Sequence, residues 1–401
     1  MGILGFDPFV IFCLNWINEV AMKRREFLAG LGAGALTIAG TPLLTRKAQP
    51  LEKAPKNEIK NWMWAHPDPK ISAEAWKRKF DQAAGAGIQA VHLLSHSGAK
   101  AFYPSSFAVH ETDELAKILP AAKQAGLEVH GWICALICNA EAVEKDHPDW
   151  FVVSRSGDST LAKQPYIPSY KWLCPSRPEV YQYLENIVLE LAGYEGIKGI
   201  HLDYIRYPDV ILPEALQPKY NLVQDKEYPQ FDFCYCPVCR KIFEQKEGID
   251  PLRIEDPSAH QAWKNYRYQT ITNIVDKLAD AAHRKGKPIS AAVFATPELA
   301  RRYVRQDWPR WKLDTVHPMI YHYYYAKGLD WLEPATREGV AELPPSRPLY
   351  SGLFISQIKP AELSRAVEES FKGGARGITL FAMSSMTDEH WKALGEALKG
   401  R

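Results

Sequence analysis

The strongest constraint on the fold is the alternation, after residue 57, of short apolar runs with longer amphipathic stretches. Short runs rich in β-branched and aromatic residues are typical of buried strands, and longer amphipathic stretches are typical of helices. Eight runs predict strands, at residues 62–66, 90–96, 128–137, 199–207, 289–296, 315–321, 349–355 and 378–383. Strands that alternate with helices favour a parallel sheet, and eight strands close such a sheet into a barrel. The sequence therefore predicts an α/β fold, a (β/α)₈ TIM barrel over residues 57–401.

Helix boundaries in the intervening stretches agree with this prediction. Ser176-Arg-Pro-Glu179 combines an N-cap residue, an early proline and a capping-box glutamate. The main rival is a doubly wound open sheet, which binds phosphates through a glycine-rich turn after its first strand. Because no such turn follows residues 62–66, the barrel is favoured.

Residues 1–56 predict an export signal and a linker. Met22-Lys-Arg-Arg-Glu-Phe-Leu places an arginine pair before residues 29–40, a weakly hydrophobic Gly/Ala-rich run, as is typical of a twin-arginine signal peptide. We expect translation to start at Met22 and the mature chain to be periplasmic or extracellular; the alternative is a cytosolic N-terminal tail. The apolar run is shorter than the roughly 20 residues of a membrane span, so no stable span is expected after signal removal.

Two connections are far longer than the others, at residues 138–177 after the third predicted strand and at about 208–257 after the fourth. Both lie on the carboxyl-end face of the predicted barrel, which carries the active site in such folds. Both are rich in aromatic residues: Trp150, Tyr166, Tyr170, Trp172, Tyr220, Tyr228 and Phe231. We therefore predict that these loops wall a groove for a long ligand.

The charge of the chain argues against one class of partner. The formal net charge is only +2, and acidic and basic residues are interspersed along the chain. Nucleic acids and anionic membrane surfaces are bound through sustained basic patches. We therefore expect no nucleic-acid partner.

The fourth predicted strand carries two chemically informative side chains. Because side chains alternate along a strand, His201 and Asp203 share one face, near the top of the barrel interior. A carboxylate is costly to desolvate there, so Asp203 is a candidate for binding or proton chemistry. The alternative is a structural salt bridge from Asp203 to Arg206 or His201.

Three motifs resemble a known family. Asp203-Tyr-Ile-Arg-Tyr-Pro208, the segment from Trp172 to Val180, and the segment from Gln306 to Tyr321 together look like the glycosyl-hydrolase-like family ten. The resemblance implies an exported or lipid-anchored bacterial protein with a TIM barrel, distantly similar to the α-amylase superfamily. It also implies action on a polysaccharide, since some members act on peptidoglycan glycan strands. Cys174 stands where such families more often have Asp or Asn, so no role is transferred to it.

The same resemblance implies roles for the carboxyl groups. By position, Asp203 is the nucleophile candidate and His201 helps to bind the same sugar. Glycoside hydrolysis uses a second carboxyl group, about 5 Å away in retaining enzymes and further away in inverting ones. The resemblance places it after the fifth strand, where Glu298 is the first candidate for the general acid and Asp307 the second. Glu298 is alternatively an exposed first-turn glutamate favoured by the helix dipole.

Other strand ends supply candidate substrate-binding residues. With Tyr204 and Arg206 beside Asp203, they are His66, His96, Trp132 and Tyr321. Aromatic faces pack on sugar C–H faces and polar groups bind hydroxyls, so this mouth fits a carbohydrate. The alternatives are hydrogen-bonded structural histidines and aromatic rings that fill the core.

Cys234, Cys236 and Cys239 form a C-x-C-x-x-C motif in the second long connection. Such spacing brings thiolates onto one metal ion, and Cys174 or His260 would complete a tetrahedral structural zinc site. A disulfide is the alternative, because the expected destination is oxidising. A structural clip of either kind is favoured over catalytic zinc, because the cluster lies in an insertion.

The sequence therefore predicts a glycoside hydrolase that acts on an extracytoplasmic polysaccharide or oligosaccharide and requires no cofactor. One alternative is a carbohydrate-binding barrel that lacks a competent second carboxylate. Another is a metal-dependent hydrolase that uses His66, His96 and Asp203.

Overall fold

The computed structural model describes residues 59–400, which form a closed barrel of eight parallel strands in sequential order. The strands are β1 (Trp62–Ala65), β2 (Ala90–His96), β3 (Glu128–Cys134), β4 (Gly199–Asp203), β5 (Ile289–Phe294), β6 (Thr315–Met319), β7 (Ser351–Phe354) and β8 (Ile378–Phe381). β8 pairs with β1 and closes the sheet. The predicted (β/α)₈ fold is thus confirmed, whereas the predicted export signal lies outside the described residues.

Ten α-helices surround the barrel or lie in its loops within residues 59–400. They are α1 (Ala73–Gly85), α2 (Glu114–Gln124), α3 (Glu141–Asp146), α4 (Pro178–Gly193), α5 (Pro237–Glu247), α6 (Gln261–Arg284), α7 (Pro297–Val304), α8 (Leu332–Ala341), α9 (Pro360–Lys372) and α10 (Asp388–Leu398). Their first turns carry the expected signals, such as Pro178 and Pro360 at the first helical position. Across this part of the chain, no helix combines the length and apolar character that a membrane crossing requires.

Most strands begin where the sequence predicts and end earlier. Residues 135–137 and 204–207, predicted to extend β3 and β4, lie in the loops that follow. Tyr204 shows why, because its backbone φ of +49° is left-handed and turns the chain directly after Asp203. Residues such as Ile205 and Tyr207 are nevertheless buried. Apolar character therefore continues past the strand end and makes the strand look longer in the sequence.

The barrel interior is filled by rings rather than by aliphatic side chains alone. The His92 ring stacks on the His201 ring with 3.6 Å between their centroids. The Trp62 ring also stacks on the His92 ring, with 4.7 Å between centroids. His317 hydrogen-bonds Thr379 through Nδ1 at 2.7 Å. Burial lowers the pKa of His92, His201 and His317, so these imidazoles are neutral hydrogen-bonding core residues.

The two long connections pack against each other and against the barrel. Ser154 forms a β-bridge with Phe233, and the Tyr235 N–H donates to the Val153 carbonyl oxygen at 2.8 Å. The connection after β4 is also anchored by a buried ion pair between Arg267 of α6 and Asp232. Both loops are therefore ordered parts of the fold at the carboxyl end of the barrel.

Candidate active site

Asp203 is the last residue of β4, and its carboxyl group is held at the carboxyl end of the barrel. The Trp132 Nε1–H donates to Oδ2 at 3.1 Å, and the backbone N–H of Tyr204 donates to Oδ1 at 2.7 Å. The residue is only 9% exposed. Each carboxyl oxygen thus accepts one fixed hydrogen bond and retains a lone pair for a proton.

Burial raises the pKa of Asp203 from 3.8 to about 6. The Tyr204 N–H, the charge of Arg206 and the Trp132 N–H act in the opposite direction and keep the pKa from rising further. Desolvation disfavours the carboxylate, so the group exchanges a proton in the range where a catalytic acid or base is effective. Within residues 59–400, no neighbouring carboxylate is among the causes of this shift.

Arg206 does not form the structural salt bridge with Asp203 that the sequence left open. Its guanidinium donates to Asp209 Oδ2 at 2.9 Å and to the Tyr170 hydroxyl at 2.9 Å. It also lies 4.8 Å from the centre of the Trp172 ring. Arg206 is therefore buried and links the two long connections through Tyr170 and Asp209. Its positive charge lowers the pKa of Asp203 without direct contact.

His201 lies in the barrel core, below Asp203 on β4. Its Nε2 accepts a hydrogen bond from Trp64 Nε1–H at 3.0 Å, so in the neutral ring Nδ1 carries the proton and donates to Ser290 Oγ at 2.8 Å. Both ring nitrogens are thus occupied and the side chain is fully buried. The structure separates His201 from the mouth, where the sequence had placed it as a sugar-binding residue.

A group of rings, here called the aromatic surround, lies next to Asp203 and consists of His66, Trp132, Tyr321 and Phe381. The His66 ring is 4.9 Å from the Trp132 ring and 5.8 Å from the Phe381 ring, and Tyr321 is 6.0 Å from Phe381. Burial lowers the pKa of His66 to about 4, so its imidazole is neutral near pH 7. The structure thus brings His66, Trp132, Tyr321 and Asp203 together, as the sequence predicts for a carbohydrate site, while their contacts with substrate stay predictions.

Tyr204 and His96 differ in accessibility. Tyr204 is half-buried, with its ring 5.8 Å from that of Trp172. His96, at the end of β2, is buried, and its Nδ1 accepts the Gly98 N–H at 3.2 Å. Its Nε2 has no hydrogen-bond partner among residues 59–400. Tyr204 is therefore the more accessible of these two candidate substrate-binding residues.

Glu298, the predicted general acid, lies in the first turn of α7 with its side chain exposed. Its backbone N–H donates to Glu338 Oε1 of α8 at 3.1 Å. No hydrogen bond or ion pair joins its side chain to Asp203 within residues 59–400. This placement matches the alternative of a first-turn glutamate beside the helix dipole.

Asp307, the second choice, is held by arginines outside the barrel. Its Oδ1 is 2.8 Å from Arg301 Nε and its Oδ2 is 3.2 Å from Arg310 Nε. Asp307 also lines a surface groove of about 500 Å³ beside α6, whose walls contain none of the residues around Asp203. The structure therefore does not bring Asp307 to the mouth.

The sequence missed several residues that shape this site. Phe354 and Phe381 end β7 and β8, and their rings lie 6.2 Å apart beside Tyr321. Asp209, which pairs with Arg206, was also missed. Their signal was present, since an aromatic residue that ends a predicted barrel strand lies at the catalytic face.

Two side-chain groups within the described residues have ligand atoms close enough to share a metal ion. One group consists of His92, His201 and His317. Both ring nitrogens of His201 already form hydrogen bonds, to Trp64 and Ser290. The His92 and His201 rings are stacked, so the lone pairs in their ring planes do not converge on one point. The other consists of Cys174, Cys234, Cys236 and Cys239. His66, His96 and Asp203, the residues of the metal-dependent alternative, form no such group in this range.

The closed barrel with a buried carboxyl group at the end of β4 is the architecture expected of the glycoside-hydrolase-like class. Residues 80–367 of the 401 match the family described as Glycosyl hydrolase-like 10, so the chain belongs to this family. The resemblance of the three sequence motifs is thereby confirmed. No curated protein sequence matches the chain.

Solved glycosidase structures share the fold. The glycoside hydrolase domain of PgaB (BpsB) from Bordetella bronchiseptica has a TM-score of 0.68 at 14% identity, with 86% of this chain and 99% of that chain covered. The catalytic domain of β-amylase from Paenibacillus polymyxa has a TM-score of 0.59 at 13% identity, with 85% and 98% covered. The β-galactosidase from Marinomonas ef1 has a TM-score of 0.61 at 12% identity, with 84% and 58% covered. At these identities the likeness concerns the fold.

Proposed function

We propose that this chain hydrolyses glycosidic bonds in an extracytoplasmic polysaccharide, with Asp203 as the proton donor. The observation that carries the proposal is the buried carboxyl group of Asp203, whose pKa is raised to about 6 at the carboxyl end of β4. Chemistry in (β/α)₈ barrels occurs at this end, and glycosidases use a carboxylic acid with a raised pKa to protonate the leaving oxygen.

The surroundings of Asp203 suit this proton transfer. When the proton moves to the glycosidic oxygen, the new carboxylate is stabilised by the N–H groups of Trp132 and Tyr204 that already point at its oxygens. These donors are fixed before the reaction, because Trp132 is fully buried and the Tyr204 N–H is part of the turn after β4. The raised pKa favours an acid role over the nucleophile role that the family resemblance implies, because the two N–H donors lower the pKa and would serve either role.

The second chemical role then falls to the substrate. Among the described residues, no carboxylate is a cause of the raised pKa of Asp203 and neither Glu298 nor Asp307 contacts it, whereas the partner in a retaining pair lies about 5 Å away. In substrate-assisted hydrolysis, the acetamido oxygen of the sugar bonds to its own anomeric carbon while the glycosidic C–O bond breaks and the leaving oxygen takes the Asp203 proton. Water then opens this intermediate and returns a proton to Asp203. We therefore infer an N-acetylated polymer, such as a peptidoglycan glycan strand.

A second function is a carbohydrate-binding barrel without catalysis. It is favoured by the positions of Glu298 and Asp307, neither of which contacts Asp203 among the described residues. In that case the aromatic surround binds the polymer, and the raised pKa of Asp203 is a by-product of burial.

The test is reducing-end release from peptide-free peptidoglycan, chitin and a glucan that lacks acetamido groups, with wild type, Asp203→Asn and Asp307→Asn. We expect wild type and Asp307→Asn to cleave an acetamido-bearing polymer, and Asp203→Asn to lose about 10²- to 10⁴-fold in rate. Cleavage of the glucan alone contradicts the substrate-assisted route. Folded wild type that binds a polymer and releases no reducing ends supports the binding function instead.

Export is the second part of the proposal. Arg24 and Arg25 in the predicted twin-arginine signal support it. We expect Arg24→Lys with Arg25→Lys to leave the protein in the cytoplasmic fraction of cells that export wild type. Equal export of the double variant and wild type contradicts this route.

A further inference from the structure

Four cysteines from the two long connections meet in one buried cluster. Cys174 comes from the connection after β3, and Cys234, Cys236 and Cys239 come from the connection after β4. Their sulfur atoms all lie within 4.8 Å of one another. Cys174 Sγ is 3.5 Å from Cys239 Sγ and 3.7 Å from Cys236 Sγ.

These sulfur–sulfur separations distinguish a disulfide from a zinc site. A disulfide requires sulfur atoms about 2.0 Å apart. A tetrahedral zinc ion with Zn–S bonds of about 2.3 Å holds its sulfurs about 3.8 Å apart, close to the distances from Cys174. We propose that Cys174, Cys234, Cys236 and Cys239 bind one structural zinc ion.

The fourth ligand is Cys174 rather than His260. The His260 side chain caps α6, because its Nδ1 accepts the Trp263 N–H at 3.3 Å. Cys174 instead points into the cluster from the opposite loop. The ligand set is therefore four thiolates, which zinc binds in closed structural sites, with no open position for catalysis.

Groups around the cluster can stabilise thiolate charge. The Val153 N–H donates to Cys234 Sγ at 3.4 Å. Ser176 Oγ lies 3.2 Å from Cys239 Sγ and 3.1 Å from the Tyr266 hydroxyl. Hydrogen-bond donors of this kind orient metal ligands and offset their charge. Val153 and Ser176 both lie on the connection after β3, which thus supplies polar support to cysteines of the connection after β4.

The position of the cluster defines what the zinc ion does. Cys174 follows Trp172 by two residues, and the Trp172 ring lies 5.8 Å from that of Tyr204 and 4.8 Å from the Arg206 guanidinium carbon. A bound ion therefore fixes the loops that flank Asp203 while its own coordination is complete. Zinc binding is independent of the proposed glycosidase activity.

The experiment measures metal content of the full chain, purified under reducing conditions without chelator, by elemental mass spectrometry. We expect about one zinc per chain in wild type, and below about one tenth in Cys236→Ser and Cys239→Ser. Cys138→Ser is the matched control, because Cys138 is a buried thiol outside the cluster, and it should retain the metal.

A second measurement keeps the proposal testable if the cysteine variants fail to fold. Wild type loaded with Co²⁺ in place of zinc should show intense thiolate-to-cobalt charge-transfer absorption and tetrahedral d–d bands. Reduced wild type with no bound metal and no such spectrum contradicts the proposal. Iron in place of zinc, or an intact mass lowered by the hydrogens lost in two disulfides, also contradicts it.

Discussion

At the scale of single residues, the chemistry depends on how Asp203 is buried. Its position at the end of β4 was predictable from strand alternation and the family resemblance. The roles of its neighbours were not, because they depend on which side chains meet across strands. Trp132, predicted to bind substrate, donates its indole N–H to Asp203, and His201 bonds Trp64 and Ser290 in the core.

The pH dependence of activity reports the role of Asp203. As an acid it must be protonated, so kcat/KM for polymer cleavage should fall as the pH rises through about 6, the pKa of Asp203. The measurement is kcat/KM from pH 4 to 9. An activity that instead rises through this range indicates a nucleophile or base and contradicts the acid role.

Trp132→Phe tests the hydrogen bond to Oδ2. The indole N–H stabilises the carboxylate, so its loss should raise the pKa of Asp203 and move the alkaline limb of kcat/KM to higher pH. Trp76→Phe is the matched control, because Trp76 is a buried indole of α1 whose Nε1 has no hydrogen-bond partner among residues 59–400. If the alkaline limb of kcat/KM lies at the same pH in wild type and in both variants, Trp132 does not lower the pKa of Asp203.

At the scale of elements, the sequence predicts strand starts better than strand ends. Strands begin after helix-terminating glycines such as Gly87 and Gly126, whose positive φ marks the boundary. They end in loops that are themselves buried, so the apolar pattern does not change there. The long connections were predicted from their length, but their anchoring by Arg267 and Asp232 brings together residues 35 positions apart, which local patterns do not reveal.

Gly131→Ala tests the contact between β3 and α4. A Cβ at position 131 would lie 2.4 Å from Cδ2 and 2.8 Å from Cγ of the buried Leu191. We expect a loss of about 1–3 kcal/mol in the free energy of unfolding from this overpacking. Gly193→Ala at the end of α4 is the control, since nothing lies within 4 Å of its added Cβ. Urea denaturation that finds equal stability for both variants contradicts this packing.

At the scale of the whole molecule, one sequence pattern predicts the barrel because every βα unit repeats the same periodicity. The sequence also predicts that the site lies at the carboxyl end. It does not predict that Glu298 lies away from Asp203, because analogy assigned the general acid by chain position whereas Glu298 is exposed in the first turn of α7, beside Glu338 of α8. The fold and the central carboxyl group were thus accessible to local reasoning, and the complete reaction geometry was not.

The cost of a charged Asp203 should appear in global stability. Its pKa is higher in the folded chain than the ordinary 3.8, so folding is progressively disfavoured as the pH rises from about 4 through 6. Asn does not titrate. The unfolding free energy of Asp203→Asn minus that of wild type should therefore increase by about 1–3 kcal/mol between pH 4 and pH 7.5. Urea denaturation at both pH values checks this, and an unchanged difference contradicts the burial argument.

The most direct test of Asp203 as the proton donor compares Asp203→Asn with wild type on two substrates, the polymer that wild type cleaves and a dinitrophenyl glycoside of the same sugar. The aryl leaving group departs without protonation, so only polymer cleavage needs the acid. We predict a loss of about 10²-fold or more on the polymer and a much smaller loss on the aryl glycoside. Equal losses on both substrates, or full activity on the polymer, would contradict the role of Asp203 as the proton donor.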